Sequence, residues 1–186
     1  MLSIALGLGL AAAAGFRVFV PLLIAGLAAR TGWIPLTDGF AWLASAPALL
    51  TLGAAAVFET LAYYIPGVDH ILDILAGPIA VGAGMVASAS VMTDVPPAIM
   101  WPIAIIAGGA VGGASEGSPA LVRAKTSVAT AGLGNPVVST IETGSAIGLS
   151  FLAVLLPLLA LIAIVMLLVW VVRKFRRSVV PRRQPE

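Results

Sequence analysis

Several ionisable residues stand inside long apolar stretches of this chain. Four of them are candidates for a buried polar core: Arg17, Glu59, Glu116 and Glu142. A charged side chain in the middle of a bilayer costs at least about 3 kcal/mol, so such residues usually carry function or pair with one another. Their types predict a site that handles a proton, a cation or a polar solute. For Glu59, a structural hydrogen bond to a neighbouring helix is an equal alternative.

Arg17 and Glu116 occupy similar places in a weak internal echo. Shifting the chain by 98 positions aligns 8–24 with 106–122, and each copy runs from small residues through Gly to a charged residue and then Pro. Inverted repeats with broken helices that meet near the midplane are common in transporters. We therefore predict an ion pair between Arg17 and Glu116. The alternative is that Arg17 snorkels to the interface and Glu116 lies in an interfacial loop.

Glu142 follows Asn135 by two helical turns, in a segment rich in hydroxyl side chains: Ser139, Thr140 and Thr143. Hydroxyls and the freed carbonyls of a broken helix suit a small cation or a polar substrate. Asn135 and Glu142 therefore join the predicted polar core. An ordinary acid near a helix N-terminus, interacting with the helix dipole, is the alternative for Glu142.

A second polar group lies in the stretch AYYIPGVDHILD, which contains Asp69, His70 and Asp73. Apolar residues recur at helical spacing on the opposite side, which predicts a short amphipathic helix at the membrane surface. The two acids could bracket a cation, and His70 could relay a proton. A solvated cluster, or one salt-bridged to Arg123 or Lys125, is the favoured interpretation.

Classical catalysis has little support in the sequence. The chain has no cysteine and one histidine, which is too few ligands for a typical zinc centre. It lacks a P-loop, a GxSxG elbow and an HExxH motif. We expect no catalytic residues, no metal and no cofactor, and therefore no enzyme.

The composition places these residues in a membrane. Hydrophobic residues make up 60% of the 186 and charged ones 10%, which is far more apolar than a soluble domain. One helical crossing takes about 20 apolar residues, and lipid excludes irregular backbone because its polar groups would go unpaired. The expected fold is all-α, a polytopic transmembrane bundle forming one domain over 1–172.

Apolar runs and Pro or Gly breaks predict the elements. Helix one covers about Leu2 to Ala29, with room for a break, and helix two begins at 45–47 and ends at 65–67. Helix three is predicted at about Ile74 to Met92, and helix four at about Ala98 to Ala114. Helix five is predicted to start near Gly148, after a break at 143–144 or 148 within 137–172.

About five crossings follow, in two halves, 1–92 and 97–172, related as a possible inverted repeat. Residues 116–147 are too polar to face lipid, so we expect a re-entrant segment there, with a sixth crossing as the alternative. The tail, 173–186, holds six basic residues and one acid. Under the positive-inside rule this tail is cytoplasmic, in the inner membrane of a cell, and the N-terminus is outside.

Three ordered segments carry a family resemblance: AAAAGFRVFVPLL, FETLAYYIPGVDHILD and TAGLGNPVVSTIE, followed by a long apolar helix. This set resembles the domain-of-unknown-function 4126 family of small bacterial integral membrane proteins, over nearly the whole chain. The resemblance implies a membrane location and a shared fold. It implies no activity.

The leading functional prediction is a transporter or channel for a small solute or ion, with a cation or proton favoured by the excess of acids outside the tail. A non-catalytic scaffold or assembly protein is the alternative, and a lipid-acting membrane enzyme is a third. Expected partners are the bilayer, anionic lipid at the basic tail and a second copy. The small-residue face of helix three is the candidate dimer interface. No nucleic acid is expected.

Overall fold

The computed structural model of the protein describes residues 1–65, 68–130 and 133–162 and the single positions 165, 166, 169 and 173. The described elements are all helical, as predicted. The α-helices are α1 Leu2–Ala14, α2 Phe19–Arg30, α3 Ala46–Ala62, α4 Val68–Val91, α5 Pro97–Ile103, α6 Gly109–Thr130 and α7 Asn135–Leu155. A 3₁₀ helix at Asp38–Ala44 precedes α3, and a π-helical turn at Ala104–Gly108 joins α5 to α6.

The first predicted helix is broken at residues 15–18. Pro21 explains the position of the break, because its ring would clash with the carbonyl of Arg17 in a continuous helix and it has no N–H to donate. In the first turn of a new helix, by contrast, a proline needs no donor. Gly15 sits at the break because a Cβ there would lie 2.5 Å from the carbonyl oxygen of Gly112 in α6.

The two pieces, α1 and α2, form an antiparallel helical hairpin. The Ser3 hydroxyl at the start of α1 donates to the Asp94 carboxylate, and the Thr37 amide after α2 donates to the Ser90 carbonyl at 2.9 Å. Both open ends of the hairpin therefore lie where α4 ends. Its tip, residues 15–18, points toward the opposite end of the bundle, where α4 and α7 begin. We call that the cluster end.

The structure corrects the prediction around residues 68–75. No separate amphipathic helix lies there, because α4 runs unbroken from Val68 to Val91 through Pro78.

The N-cap of α3 is Ser45, whose hydroxyl accepts the Ala48 amide at 3.3 Å.

The predicted re-entrant segment at 116–147 is also wrong. α5, the π turn and α6 together form one helical stretch, Pro97–Thr130, which carries through Glu116. Pro102 lies at the end of α5, just before the π turn, and a proline in a helix interior removes a hydrogen bond. α7 is likewise continuous through Thr143, Gly144 and Gly148. It ends instead at Leu155, and the next residue, Leu156, is non-helical before Pro157.

The small-residue face predicted for helix three is real, and α6 fills it. A Cβ on Gly84 would clash with the Gly108 carbonyl, and one on Gly112 would clash with the Ala80 carbonyl. Such contacts let two helix backbones approach closely. The part of this face around Ala80 and Gly84 is therefore packed within the chain, and a second copy at this face stays a prediction.

The membrane character of the chain is clear, while the finer topology is not confirmed. Among the described residues, three helices are long and apolar enough to cross a membrane, or four if the pair Asp38–Ala44 and Ala46–Ala62, bent by 70°, is one span. Five crossings and an inverted repeat are not confirmed, since the first copy of the echo contains the break and the second is continuous helix. The predicted basic tail lies outside the described residues, apart from Arg173.

Candidate functional site

Arg17 lies at the tip of the hairpin and is 1% exposed. Its side chain docks on α7: Nε donates to the Thr143 hydroxyl at 3.0 Å, and Nη2 donates to the Ser139 carbonyl at 3.1 Å and the Ser139 hydroxyl at 2.5 Å. Three directed bonds fix the guanidinium plane, as Arg but not Lys allows. The break at the hairpin tip thus places the buried Arg17 guanidinium against α7.

Glu142, on α7, joins two cations through one oxygen. Its Oε2 lies 3.3 Å from Arg17 Nη2 and accepts a hydrogen bond from Arg123 Nη1 at 2.6 Å. The residue is 3% exposed, yet Oε1 accepts no hydrogen bond from the part of the chain that the structure describes. A buried carboxylate oxygen without a donor is unusual and calls for a physical reason.

Arg123, on α6, lies close to two more acids. Its Nε lies 2.9 Å from Asp73 Oδ1 on α4, and its Nη2 lies 3.5 Å from Glu116 Oε1. We call Arg17, Arg123, Asp73, Glu116 and Glu142 the arginine cluster. With every group ionised, two positive and three negative charges give it a formal charge of −1.

The cluster corrects one prediction and confirms another. The predicted pair between Arg17 and Glu116 is wrong, because Arg17 pairs with Glu142 and Glu116 pairs with Arg123. Because α6 and α7 meet beside the tip, Glu142 lies nearer to Arg17 than Glu116 does. The predicted salt bridge from the Asp73 region to Arg123 is confirmed.

The Tyr63 ring contacts both guanidinium groups of the cluster. The Arg17 Cζ lies 4.3 Å from the ring centroid, and the Arg123 Cζ lies 4.5 Å from it. A cation over an aromatic face is attracted by about 0.5–2 kcal/mol. The signal that could have found Tyr63 is its place one turn after Glu59, on the helix that faces the hairpin tip.

Glu59, the fourth predicted core acid, has a different role. Its Oε1 accepts the Val18 amide at 2.8 Å and its Oε2 accepts the Phe19 amide at 3.2 Å. These amides open α2 and have no helical partner of their own. The structure therefore shows the structural alternative for Glu59, a cap supplied by α3 to the broken helix.

Asn135 and Asp69 form a polar contact at the cluster end. Asn135 Nδ2 donates to Asp69 Oδ2 at 2.6 Å and to the Ser127 hydroxyl at 2.9 Å. Asp69 is only 7% exposed, so the prediction of a solvated surface acid is wrong. His70 lies in α4, and its side chain is outside the described part of the structure.

Within the described residues, the buried charged groups lie in one half of the bundle. Asp73 lies five residues after the start of α4 and Glu142 lies seven residues after the start of α7, which places them about 8 Å and about 10 Å from the cluster end. Toward the other end, the hairpin packs in an apolar core that includes Leu10, Leu22 and Leu43. Among the described residues, the buried charges therefore lie toward the cluster end.

A cavity of about 400 Å³ lies between α3 and α4 and reaches the cluster. Ala55 and Phe58 of α3 face Leu72, Ala76 and Ile79 of α4 across it. Its polar lining is limited to Arg17, Glu59, Tyr63, Glu116 and Arg123. Among the residues the structure describes, no three His, Cys, Asp or Glu side chains are placed to hold a metal ion.

The comparisons with known proteins yield one match. The model of a family described as "Domain of unknown function (DUF4126)" matches residues 4–177. No curated protein matches the chain, and no solved structure does.

Proposed function

Because the chain belongs to the DUF4126 family, whose description names no activity, we propose from its own geometry that it carries a proton or a small monovalent cation through a membrane. The arginine cluster is the proposed binding centre. The observation that carries this proposal is the position of Glu142, buried between two arginines, with one carboxylate oxygen that accepts no hydrogen bond from the described residues.

The charge balance supports uptake of one positive charge. The cluster has a formal charge of −1 in a buried place, where an unbalanced charge is expensive. One proton or one monovalent cation neutralises it. Glu142 is the proposed acceptor, because it is the acid shared by both arginines and because its Oε1 can still bind a proton or a cation.

The hairpin supplies a means of coupling. Uptake of a positive charge at Glu142 weakens its attraction to Arg17, which is the residue that fixes the hairpin tip to α7. The tip then becomes free to shift, while Glu59 keeps the start of α2 intact. Hairpins that enter and leave on one side recur in transporters beside their binding sites.

The hairpin also revises the proposed topology. With the hairpin returning to its own side, α3, α4, α5–α6 and α7 make four crossings, so the start of α1 and the end of α7 share one side. We propose that this side is cytoplasmic, since the basic tail follows α7, and that the membrane is the bacterial inner membrane. The N-terminus is then inside, and the cluster end faces outward.

Flux measurements on purified protein in liposomes test the proposal. A pH-sensitive dye inside the vesicles reports proton entry, and separate Na⁺ and K⁺ gradients report cation coupling. We expect flux with the wild type and none above empty liposomes with Glu142→Gln. Asp38→Asn, a change of an exposed acid at the opposite end, is the matched control and should transport normally. Absence of every flux from folded wild-type protein would refute the proposal.

A further inference from the structure

The cavity between α3 and α4 is built for a larger ligand than a bare ion. Its volume, about 400 Å³, falls in the range of about 300–1,000 Å³ typical of small-molecule sites. Its walls are alanines with Phe58, Leu72 and Ile79, which offer nothing to a hydrated ion. An apolar body of several carbon atoms fits such walls.

The cavity opens sideways, between two helices that scarcely touch. Within the described residues, α3 packs mainly on α2, and α4 packs mainly on α1 and α6. Phe58 and Ile79 line the cavity and are also exposed on the outer surface. In a membrane-spanning bundle this surface faces lipid, so a molecule dissolved in the bilayer can enter directly.

The polar residues that line the cavity, which we call its floor, favour a ligand with a positively charged head group. The donors of Arg17 and Arg123 are already directed at α7 hydroxyls and acids, and Glu59 accepts two backbone amides. Glu116 is different. It lines the cavity and is 8% exposed, and its Oε1, which lies 3.5 Å from Arg123 Nη2, accepts no hydrogen bond from any residue the structure describes.

The total charge at the floor points the same way. Adding Glu59 to the arginine cluster brings the formal charge to −2, so a carboxylate or phosphate head would be repelled. A head group that carries both a positive charge and N–H donors would satisfy the Glu116 oxygen with a charge-assisted hydrogen bond. A protonated primary amine has both.

We propose that the α3–α4 cleft binds an amphipathic primary amine, with its ammonium group on Glu116 and its apolar chain between Phe58 and Ile79. This ligand goes beyond the proton or small cation of the function proposed above. It depends on that function for one point, that the cluster accepts positive charge. The amine reaches the cleft from the bilayer, not from the water at the cluster end.

Three ligands with alkyl tails of similar length and different head groups test the proposal: octylammonium, octanol and octanoate. Equilibrium dialysis against nanodiscs with and without protein removes the contribution of lipid partitioning. We expect saturable binding of octylammonium and binding about tenfold or more weaker for the other two, since a hydrogen bond to a charged group is worth about 1.5–3 kcal/mol. Octanoate or octanol binding as tightly as octylammonium would overturn the proposal.

Two variants locate the site. Glu116→Gln keeps the shape but removes the charge, and it should weaken octylammonium about tenfold or more. Ala76→Phe fills the cleft without touching a charged group and should abolish binding. Asp38→Asn is the control and should bind normally. Unchanged octylammonium binding by folded Glu116→Gln would refute the head-group assignment, and if that variant does not fold, the three ligands on the wild type still decide.

The outcome is separable from the flux test, which contains no amine. Proton or cation flux without octylammonium binding would overturn this inference and leave the proposed function standing. Saturable octylammonium binding without any flux would remove the proposed function and support the cleft as an amine site.

Discussion

Two regions of the molecule bury carboxylates, and they use them in opposite ways. At the break between α1 and α2, Glu59 meets two neutral backbone amides, one for each oxygen. In the arginine cluster, three acids share two guanidinium groups, and Glu142 keeps one oxygen without a hydrogen bond. Each Glu59 oxygen therefore accepts a hydrogen bond, whereas Glu142 Oε1 accepts none from the described residues.

The difference shows that a position in apolar sequence does not by itself decide how a carboxylate is used. Both Glu59 and Glu142 stand in apolar sequence, and both would cost free energy if left unpaired. What separates them is the supply of donors around each one. Glu59 completes the end of a helix, whereas Glu142 lies where one more positive charge is needed for neutrality.

Removing the cation at the hairpin tip should have the largest effect on stability. Arg17→Met leaves Glu142 with one cation and buries an excess of two negative charges, so we expect a loss of about 3–5 kcal/mol in the free energy of unfolding. Denaturant unfolding in detergent measures it. Arg30→Met is the control, because Arg30 is exposed and its change should stay within about 1 kcal/mol.

A double variant sharpens that result. Arg17→Met with Glu142→Gln removes a positive and a negative charge together, so it should recover part of the lost stability while flux stays absent. A double variant no more stable than Arg17→Met would mean that the two charges are not coupled.

Removing the cap at the break should have a smaller effect. Glu59→Ala leaves the Val18 and Phe19 amides without acceptors, so we expect a loss of about 2–3 kcal/mol in the same unfolding assay. Glu59→Gln retains one acceptor oxygen and should lose less. Equal stability of the alanine variant and the wild type would show that α3 does not cap α2.

Crowding the hairpin tip should have the smallest effect. A Cβ on Gly15 would lie 2.5 Å from the Gly112 oxygen, so Gly15→Ala should destabilise by about 1–3 kcal/mol. Gly144, on α7, has no neighbour within 4 Å of the equivalent Cβ, so Gly144→Ala should be neutral or stabilise by up to about 1 kcal/mol. The difference in melting temperature between the two variants checks the packing at the tip.

The sequence predicted the character of the fold and the members of the site better than their arrangement. Apolar composition determines that the helices are membrane-like, and buried charges must find partners, so Arg17, Glu116 and Glu142 were predicted to lie together. Which acid pairs with Arg17 depends on how α6 and α7 pack beside the tip. No local pattern encodes that contact.

The helix breaks show the same limit. Pro21 and Gly15 permitted a break, but the reversal of α2 depends on its contacts with α3 and the end of α4. Conversely, the polar segment 116–147 was predicted to be re-entrant, and its first part continues α6 as helix through Thr130, on a helix whose earlier turns pack on α4. Arg123 was therefore predicted as a partner for the Asp73 region but not as a member of the polar core.

The flux of Glu59→Gln and Glu142→Gln, measured side by side in the same liposomes and scaled to folded protein, tests the central claim most directly. We predict that Glu59→Gln carries protons or cations at the wild-type rate and that Glu142→Gln carries none. If Glu142→Gln is folded and still transports, or if the two variants lose flux equally, the arginine cluster is not the charge-binding centre.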